Sequence, residues 1–384
     1  MKKNKLEGKK VSPSRIQLAR KRRSYTKASL AEELGVSPRA ITDYEESGAP
    51  LSRAGDLAHA LDFPKDFFLD SNEISSVESG AIHFRATRTL KAKDRAKAES
   101  IIQIASLVEG WINEKFYLPE IDIDPSEYHG LSPREVSKKL RTAWEIPLHT
   151  PMPDMIKICE AKGIRVFTLP EFAKKIDAFS VWYNETPFIF LSRLKTPERV
   201  RFDIAHELGH LLMHIDTDLT STNKKEESEA NEFASNLLIP FPEIESYIPK
   251  SIDLNIILKA KKAYGVSAAA MEYALWANGF ISDWNHRSMC VDMSKMGYRS
   301  GEPGSDMVHE VSQIFQYVYK GENVKDRISA YDIAKDINVP INDIIDITFN
   351  IEPRAIQDTE IVKSDIPFSR DNYIKDMKSI LTVI

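Results

Sequence analysis

Cysteine is nearly absent from this chain of 384 residues, which contains only Cys159 and Cys290. Two cysteines cannot build a disulfide framework or a cysteine-rich zinc module, so both kinds of small stapled domain are excluded. We expect both side chains to be plain core or surface thiols of a protein in a reducing compartment.

Long apolar segments are missing as well. No run approaches the roughly 18 residues that a membrane-spanning helix needs, and the basic residues of positions 1–5 are not followed by the apolar stretch of a secretory signal. Hydrophobic residues make up 42 % and charged residues 28 %, which is ordinary for a globular protein. The sequence therefore predicts a cytoplasmic protein, and its length predicts about two to four domains.

Hydrophobic periodicity and composition divide the chain into four regions. Residues 1–70 show several short helical patterns, and residues 71–120 hold an aperiodic linker over 71–90 and then a long helix. Residues 121–290 combine helices with β-rich runs, including a hairpin, and residues 291–384 are predicted to be mostly helical, with a helix over 307–319. The predicted fold class is therefore mainly α with a small β-sheet (α+β).

Residues 205–214 contain the strongest chemical signal, the motif His206-Glu207-x-x-His210 in a helical pattern. Two imidazoles four residues apart lie on one face of a helix, so both can bind a single Zn²⁺ ion. Glu207 can reach a water molecule on that metal and act as its general base. The spacing therefore predicts a zinc site with hydrolytic chemistry.

A hydrolytic zinc site needs a third protein ligand, and residues 226–234 offer several glutamates. Glu227 is favoured because it shares a helix face with Asn231, whose amide could hydrogen-bond the far nitrogen of a ligand histidine. Glu229 is the alternative. Asp216 stands where a longer zinc-protease motif places its third ligand, but that motif needs a glycine where this chain has Met213.

Residues 121–290 resemble the ImmA/IrrE family of zinc metallopeptidases. The resemblance is carried by residues 201–210 and 227–240, in which Asn231-x-Phe233-Ala234 leads into Leu237-Leu238-Ile239-Pro240. It implies that His206, His210 and Glu227 bind Zn²⁺, that Glu207 is the catalytic base, and that a gluzincin-like helix pair lies behind a small sheet. It also implies a protein substrate, because members of this family as a class cleave transcriptional repressors.

Residues 14–70 resemble the Xre/Cro helix-turn-helix family through residues 30–37 and 41–45, with Gly35 at the turn. Eleven Lys/Arg against one acid in residues 1–30 fit a DNA-binding segment, whereas the remaining residues hold 41 bases and 56 acids. Pro38 and the acidic Asp43 depart from the family's pattern. The resemblance places the following residues at DNA: Arg39, Thr42 and Asp43 in the major groove, and Arg20, Arg22, Arg23 and Lys27 at phosphates.

Together these features predict a DNA-binding transcriptional regulator that carries a zinc-dependent endopeptidase. Its target would be a repressor, an antitoxin or the chain itself, and a homodimer is one possible assembly. Tyr183, His214 and Arg201 are the candidates for stabilising the oxyanion. Two alternatives stay open, a transcription factor with a structural or sensory metal site and no proteolysis, and a helix-turn-helix that docks a protein partner.

Overall fold

The computed structural model describes residues 10–77, 82–86, 92–170, 176–214, 224–241, 245, 248–249, 251–298, 301–320 and 328–351. Within these ranges the chain is mainly helical, with one two-stranded and one four-stranded sheet. The predicted fold class, mainly α with a small sheet, is therefore confirmed. None of the described helices combines the length and the apolar character needed to cross a bilayer.

The described residues form the following helices and strands. The helices are α1 (Pro13–Arg22), α2 (Lys27–Glu33), α3 (Pro38–Ser47), α4 (Ala54–Leu61), α5 (Lys65–Leu69), α6 (Ala92–Lys115), α7 (Pro133–Ala143), α8 (Met155–Ala161), α9 (Pro197–Met213), α10 (Lys224–Leu238), α11 (Leu254–Tyr264), α12 (Ala268–Ala277), α13 (Asp283–Lys295), α14 (Gln313–Lys320), α15 (Ala330–Asp336) and α16 (Ile341–Ile347). The strands are β1 (Lys10–Val11), β2 (Ala49–Pro50), β3 (Ile82–Ala86), β4 (Arg165–Thr168), β5 (Ile176–Tyr183) and β6 (Thr186–Leu191).

The four-stranded sheet has the order β3-β5-β6-β4. The predicted hairpin is present: β5 and β6 are antiparallel, and the turn between them places Asn184 and Glu185 at positive φ. Strand β4 runs parallel to β6, and β3 pairs antiparallel with β5. Residues 82–86 therefore belong to the sheet, so the prediction of a linker over residues 71–90 is wrong there. A five-residue strand has too little periodicity to be found without its pairing partner.

Helix α9 carries the predicted metal motif and packs on β5 and β6, while α10 packs on the other side of α9. Gly209 allows this close approach, because a Cβ there would lie 2.8 Å from Phe233 Cδ1 and 3.4 Å from the Cα of Ala230. Both of those residues belong to α10. A side chain larger than hydrogen at position 209 would push α10 away from α9, and with it the residues that face the motif.

The N-terminal helices form the predicted helix-turn-helix. Thr26 and Ser29 make a reciprocal capping box at the start of α2, Gly35 turns the chain at φ +62°, and Ser37 caps α3 through the amide of Ala40. Leu30, Ala31 and Ile41 are buried in the small core between these helices. Strand β1 pairs with β2, which ties the first described residues of the chain to the end of α3.

Helix α14 begins at Gln313 and not near residue 307 as predicted. The side chain of Glu310 turns inward, where it accepts the backbone amide of Met155 at 2.9 Å and pairs with Arg201. The buried Glu160 carboxylate then accepts the amides of Gln313 and Ile314 at the start of α14. These contacts join residues 109 to 155 positions apart and fix the start of the helix. The local hydrophobic periodicity cannot indicate them.

Candidate functional site

Three predicted ligands come together between α9 and α10. The Nε2 atoms of His206 and His210 lie 3.0 Å apart. The carboxylate of Glu227 faces both, with one oxygen 3.5 Å from His206 Nε2 and the other 3.6 Å from His210 Nε2. Both imidazoles are buried and Glu227 is partly exposed, so the cluster is reached from the side of α10.

A hydrogen bond to Asn231 sets the tautomer of His206 and so determines which ring nitrogen presents a lone pair to the cluster. Its Nδ1 lies 3.1 Å from the amide oxygen of Asn231. An amide oxygen only accepts, so a neutral His206 carries its proton on Nδ1 and presents the lone pair of Nε2. Asn231 therefore lies behind His206, a predicted ligand, where it contacts the ring nitrogen that faces away from the cluster.

A second chain of hydrogen bonds does the same for His210. The Nε2 of His214 lies 3.2 Å from a carboxylate oxygen of Glu229, so this nitrogen donates. A neutral His214 then accepts with Nδ1 from the Nδ1 of His210 at 3.0 Å, which leaves His210 Nε2 without a proton. Burial lowers the pKa of both His210 and His214, which keeps the two rings neutral. Glu229, the alternative ligand, therefore supports the site through His214.

These donors fit a zinc ion. Two imidazole lone pairs and one carboxylate face a common point, an arrangement that repels unless a cation lies between them. Zinc bonds of about 2.0–2.2 Å place tetrahedral ligands about 3.3–3.5 Å apart, close to the distances seen here, and two histidines with one glutamate form a known catalytic zinc set.

Glu207 is fully buried beside these ligands, and its carboxylate has a fixed orientation. The hydroxyl of Ser180 on β5 donates to the Oε2 atom of Glu207 at 2.8 Å and lies 3.2 Å from the backbone oxygen of the same residue. Sequence reasoning missed Ser180, because only the packing of α9 on the sheet brings it to Glu207.

The candidate oxyanion donors all have other partners. The Tyr183 hydroxyl donates to the backbone oxygen of Ser75 at 2.6 Å. Arg201 is buried and donates to Glu310 and to the backbone oxygen of Met152, and His214 contacts His210 and Glu229. In this arrangement Tyr183 and Arg201 hold the fold together, and Asp216, the remaining alternative ligand, lies outside the described residues.

Two segments of the chain match known protein families. Residues 159–275 match the peptidase family described as the IrrE N-terminal-like domain, and residues 16–68 match the helix-turn-helix family. The chain carries both domains. The predicted resemblances are thereby confirmed: the helix-turn-helix domain indicates a DNA-binding regulator, and the IrrE-like domain, which contains α9 and α10, indicates a metallopeptidase. No curated protein matches the chain significantly.

Helix α3 of the helix-turn-helix domain presents Arg39 and Asp43 to solvent. Thr42 is half-buried and lies 3.2 Å from the Nζ atom of Lys27, which is also 3.6 Å from a carboxylate oxygen of Glu45. Arg39 and Asp43 are therefore placed where a ligand in a groove could reach them, whereas Thr42 and Lys27 are engaged with each other.

The arginines of α1 have internal partners. Arg20 makes two contacts with the Glu45 carboxylate, and Arg22 and Arg23 both donate to Asp343 on α16. The Arg22 side chain is only 2 % exposed, so it is not available to a phosphate in this arrangement. This corrects the predicted phosphate contact of Arg22. In the described part of this segment, residues 10–30, most of the Lys and Arg side chains form ion pairs with acids of the protein.

Proposed function

We propose that the protein is a transcriptional regulator that binds DNA through its helix-turn-helix domain and hydrolyses peptide bonds with a zinc-dependent endopeptidase in its IrrE-like domain. The target is a protein, such as a repressor or an antitoxin. The observation that carries the proposal is the convergence of His206, His210 and Glu227 beside the fixed carboxylate of Glu207. A cytoplasmic location fits this function.

We assign a separate role to each residue of the site. His206, His210 and Glu227 would hold Zn²⁺, which when bound supplies a Lewis acid and a water molecule of lowered pKa. Glu207 would act as general base and then general acid, accepting a proton from the attacking water at its carboxylate and passing it to the leaving amine. Ser180 holds the Glu207 carboxylate in place. Asn231 fixes the ring orientation of His206, and the Glu229–His214 pair fixes that of His210.

Metal content distinguishes the two glutamates of α10. We expect Glu227→Gln to lose the zinc of this site on dialysis, because the substitution removes a ligand. Glu229→Gln should keep zinc with an affinity weakened by about 10–100-fold, the usual effect of a residue behind a ligand. Glu232→Gln, which alters an exposed position of the same helix, should match the wild type. Loss of zinc from Glu229→Gln with retention in Glu227→Gln would reverse the ligand assignment.

A peptidase assay distinguishes the proposed endopeptidase from a transcription factor that has a structural or sensory metal site and no proteolytic activity. The full-length, zinc-loaded protein is incubated with a library of internally quenched peptides, and its own integrity is followed in parallel. Cleavage that disappears when the metal is chelated and returns with Zn²⁺ supports the endopeptidase. A protein that holds one zinc per chain in this site and binds DNA, yet cleaves neither the library nor itself, would instead have a structural or sensory metal.

DNA binding is expected to depend on α3. We expect Arg39→Ala to weaken binding to the duplex upstream of the protein's own gene by about 1–3 kcal/mol if the side chain reads a base, and to lower the salt slope by about 1 if it meets a phosphate. Arg199→Ala, at an exposed position of α9 outside the helix-turn-helix domain, is the matched control. Affinity is measured by anisotropy at several salt concentrations, and equal affinities for both variants would remove Arg39 from the interface.

A further inference from the structure

A second cluster of metal-binding side chains lies between α12 and α13, at the end of the IrrE-like domain. Glu272 comes from α12, and His286 and Cys290 stand four residues apart on α13. The ligand atoms of the three side chains all lie within 4.8 Å of one another. As in the first site, two donors share one helix face and a glutamate comes from the neighbouring helix.

All three donors face one point. The Nδ1 atom of His286 is 2.8 Å and 3.0 Å from the two oxygens of Glu272. The Cys290 sulfur is 3.8 Å from a Glu272 oxygen and 3.8 Å from the same nitrogen of His286. Zinc bonds of about 2.3 Å to sulfur and about 2.0 Å to nitrogen place tetrahedral S and N ligands about 3.5 Å apart, so small side-chain shifts would let the three donors bind one ion, with a water molecule as the fourth ligand.

This geometry does not suit a thiol nucleophile. In a catalytic triad the nucleophile contacts one ring nitrogen of the histidine and the acid contacts the other, so that the acid orients the base. Here Cys290 and Glu272 both address Nδ1 of His286. Three donors that converge on one place are typical of chelation.

Neighbouring side chains fix the position of His286, and the buried Glu272 carboxylate favours a positive charge beside it. The indole of Trp276 stacks on His286 with 4.3 Å between the ring centroids, and its Nε1 donates to Asp283 at 2.8 Å. The Glu272 side chain is only 1 % exposed, and a buried carboxylate is costly unless a positive group compensates it. Cys290 is exposed, so an ion can enter from the solvent.

Apart from the contacts of Trp276, few side chains attach helix α13 to the rest of the protein. All of α13 is described, and Met293 is its single buried residue. Met289 is partly buried against the core, whereas Trp284 and Val291 are exposed. The apolar contact that normally holds a helix to its neighbour is therefore small. A metal ligated from both helices would supply the missing attachment.

We propose that Glu272, His286 and Cys290 form a second, structural site for a thiophilic divalent cation such as Zn²⁺, which clamps α13 to α12. Thiolate and imidazole ligands select such ions over Mg²⁺ or Ca²⁺. The site differs from the first in its donors, because it contains a thiolate and the first does not. It does not depend on the proposed peptidase activity.

Cobalt substitution tests the proposal, because a thiolate bound to Co²⁺ gives a charge-transfer band in the near ultraviolet and the first site has no sulfur ligand. The full-length protein, freed of metal and titrated with Co²⁺, should show this band and bind two equivalents. Cys290→Ser, a conservative change at an exposed position, should lose the band and one equivalent. Cys159→Ala, which alters the buried cysteine, should keep the band if the variant folds.

His206→Gln is the converse control, since it should lose the equivalent of the first site and keep the thiolate band. Zn²⁺ binding to the second site should also slow hydrogen exchange in α13 of the wild type and not of Cys290→Ser. A wild type that binds one equivalent without the band, or a band that survives Cys290→Ser, would overturn the proposal. Failure of peptide cleavage would leave both readouts unchanged, so the two proposals can fail separately.

Discussion

Glu207→Gln is expected to reduce peptide hydrolysis by about 10²–10⁴-fold in kcat, with the metal and the fold retained. The glutamine has the same shape and can still accept the hydrogen bond from Ser180, but its amide cannot take a proton from water. Because the carboxylate is buried and does not ligate the metal in our assignment, zinc content should stay at the wild-type level. Initial rates on a peptide that the wild type cleaves, together with metal analysis, measure both quantities.

Ser180→Ala is the companion variant. It leaves the Glu207 carboxylate intact and removes the hydroxyl that orients it at 2.8 Å, so we expect a smaller loss of kcat than from Glu207→Gln. A pH profile of kcat/KM distinguishes a positioning role from a purely structural one, because the loss of a hydrogen bond to the carboxylate should raise the apparent pKa of the base. Wild-type turnover by Glu207→Gln would show that another group accepts the proton.

Asp343→Ala is expected to destabilise the contact between α1 and α16 by about 3–5 kcal/mol, the usual cost of removing one partner of a buried ion pair. Asp343 accepts from Arg22 Nε at 2.8 Å and from Arg23 at 3.0 Å. Both Arg22 and Asp343 are almost fully buried, at 2 % and 5 % exposure. Without the carboxylate, a guanidinium charge would stay in a site with little access to water.

Hydrogen exchange of the α1 and α16 amides measures this effect locally, which suits a chain that need not unfold in one step. Asp346→Ala is the matched control, since Asp346 is 40 % exposed and 3.6 Å from Arg22, and it should cost less than about 1 kcal/mol. Asp343→Leu combined with Arg22→Met should recover much of the loss, because the buried Arg22 charge is removed. Arg23, which also loses the carboxylate, is 21 % exposed and still donates to the backbone oxygens of Leu61 and Asp62. Equal protection in Asp343→Ala and Asp346→Ala would show that the pair does not hold the two helices.

The metal centre illustrates how far sequence reasoning reaches. The histidine spacing predicts a shared helix face wherever that helix forms, and the structure brings His206 and His210 to one point as expected. The choice between Glu227 and Glu229 as the third ligand cannot be made from spacing alone. Both lie on α10, and only the distance and rotation of α10 against α9 turn Glu227 to the ligands and Glu229 to His214.

The basic N-terminal segment shows the opposite case. Its charge can be counted from the sequence, and the helix-turn-helix resemblance predicted that these basic side chains contact DNA. In the structure, Arg20, Arg22 and Arg23 meet Glu45 and Asp343 instead. An ion pair across 321 positions is set by packing, and composition alone cannot say which acid will lie beside which base.

The sequence by itself determined what repeats or acts within a few residues: the helices and their caps, the hairpin, the metal motif and the two family resemblances. Local backbone preferences and side-chain periodicity produce these features, so they can be predicted without knowing which distant segments will pack against them. The tertiary structure decided the strand at residues 82–86, the start of α14, the role of Ser180 and the partners of the arginines. Each of these depends on a contact between distant segments, whose energy is gained only when the chain has folded.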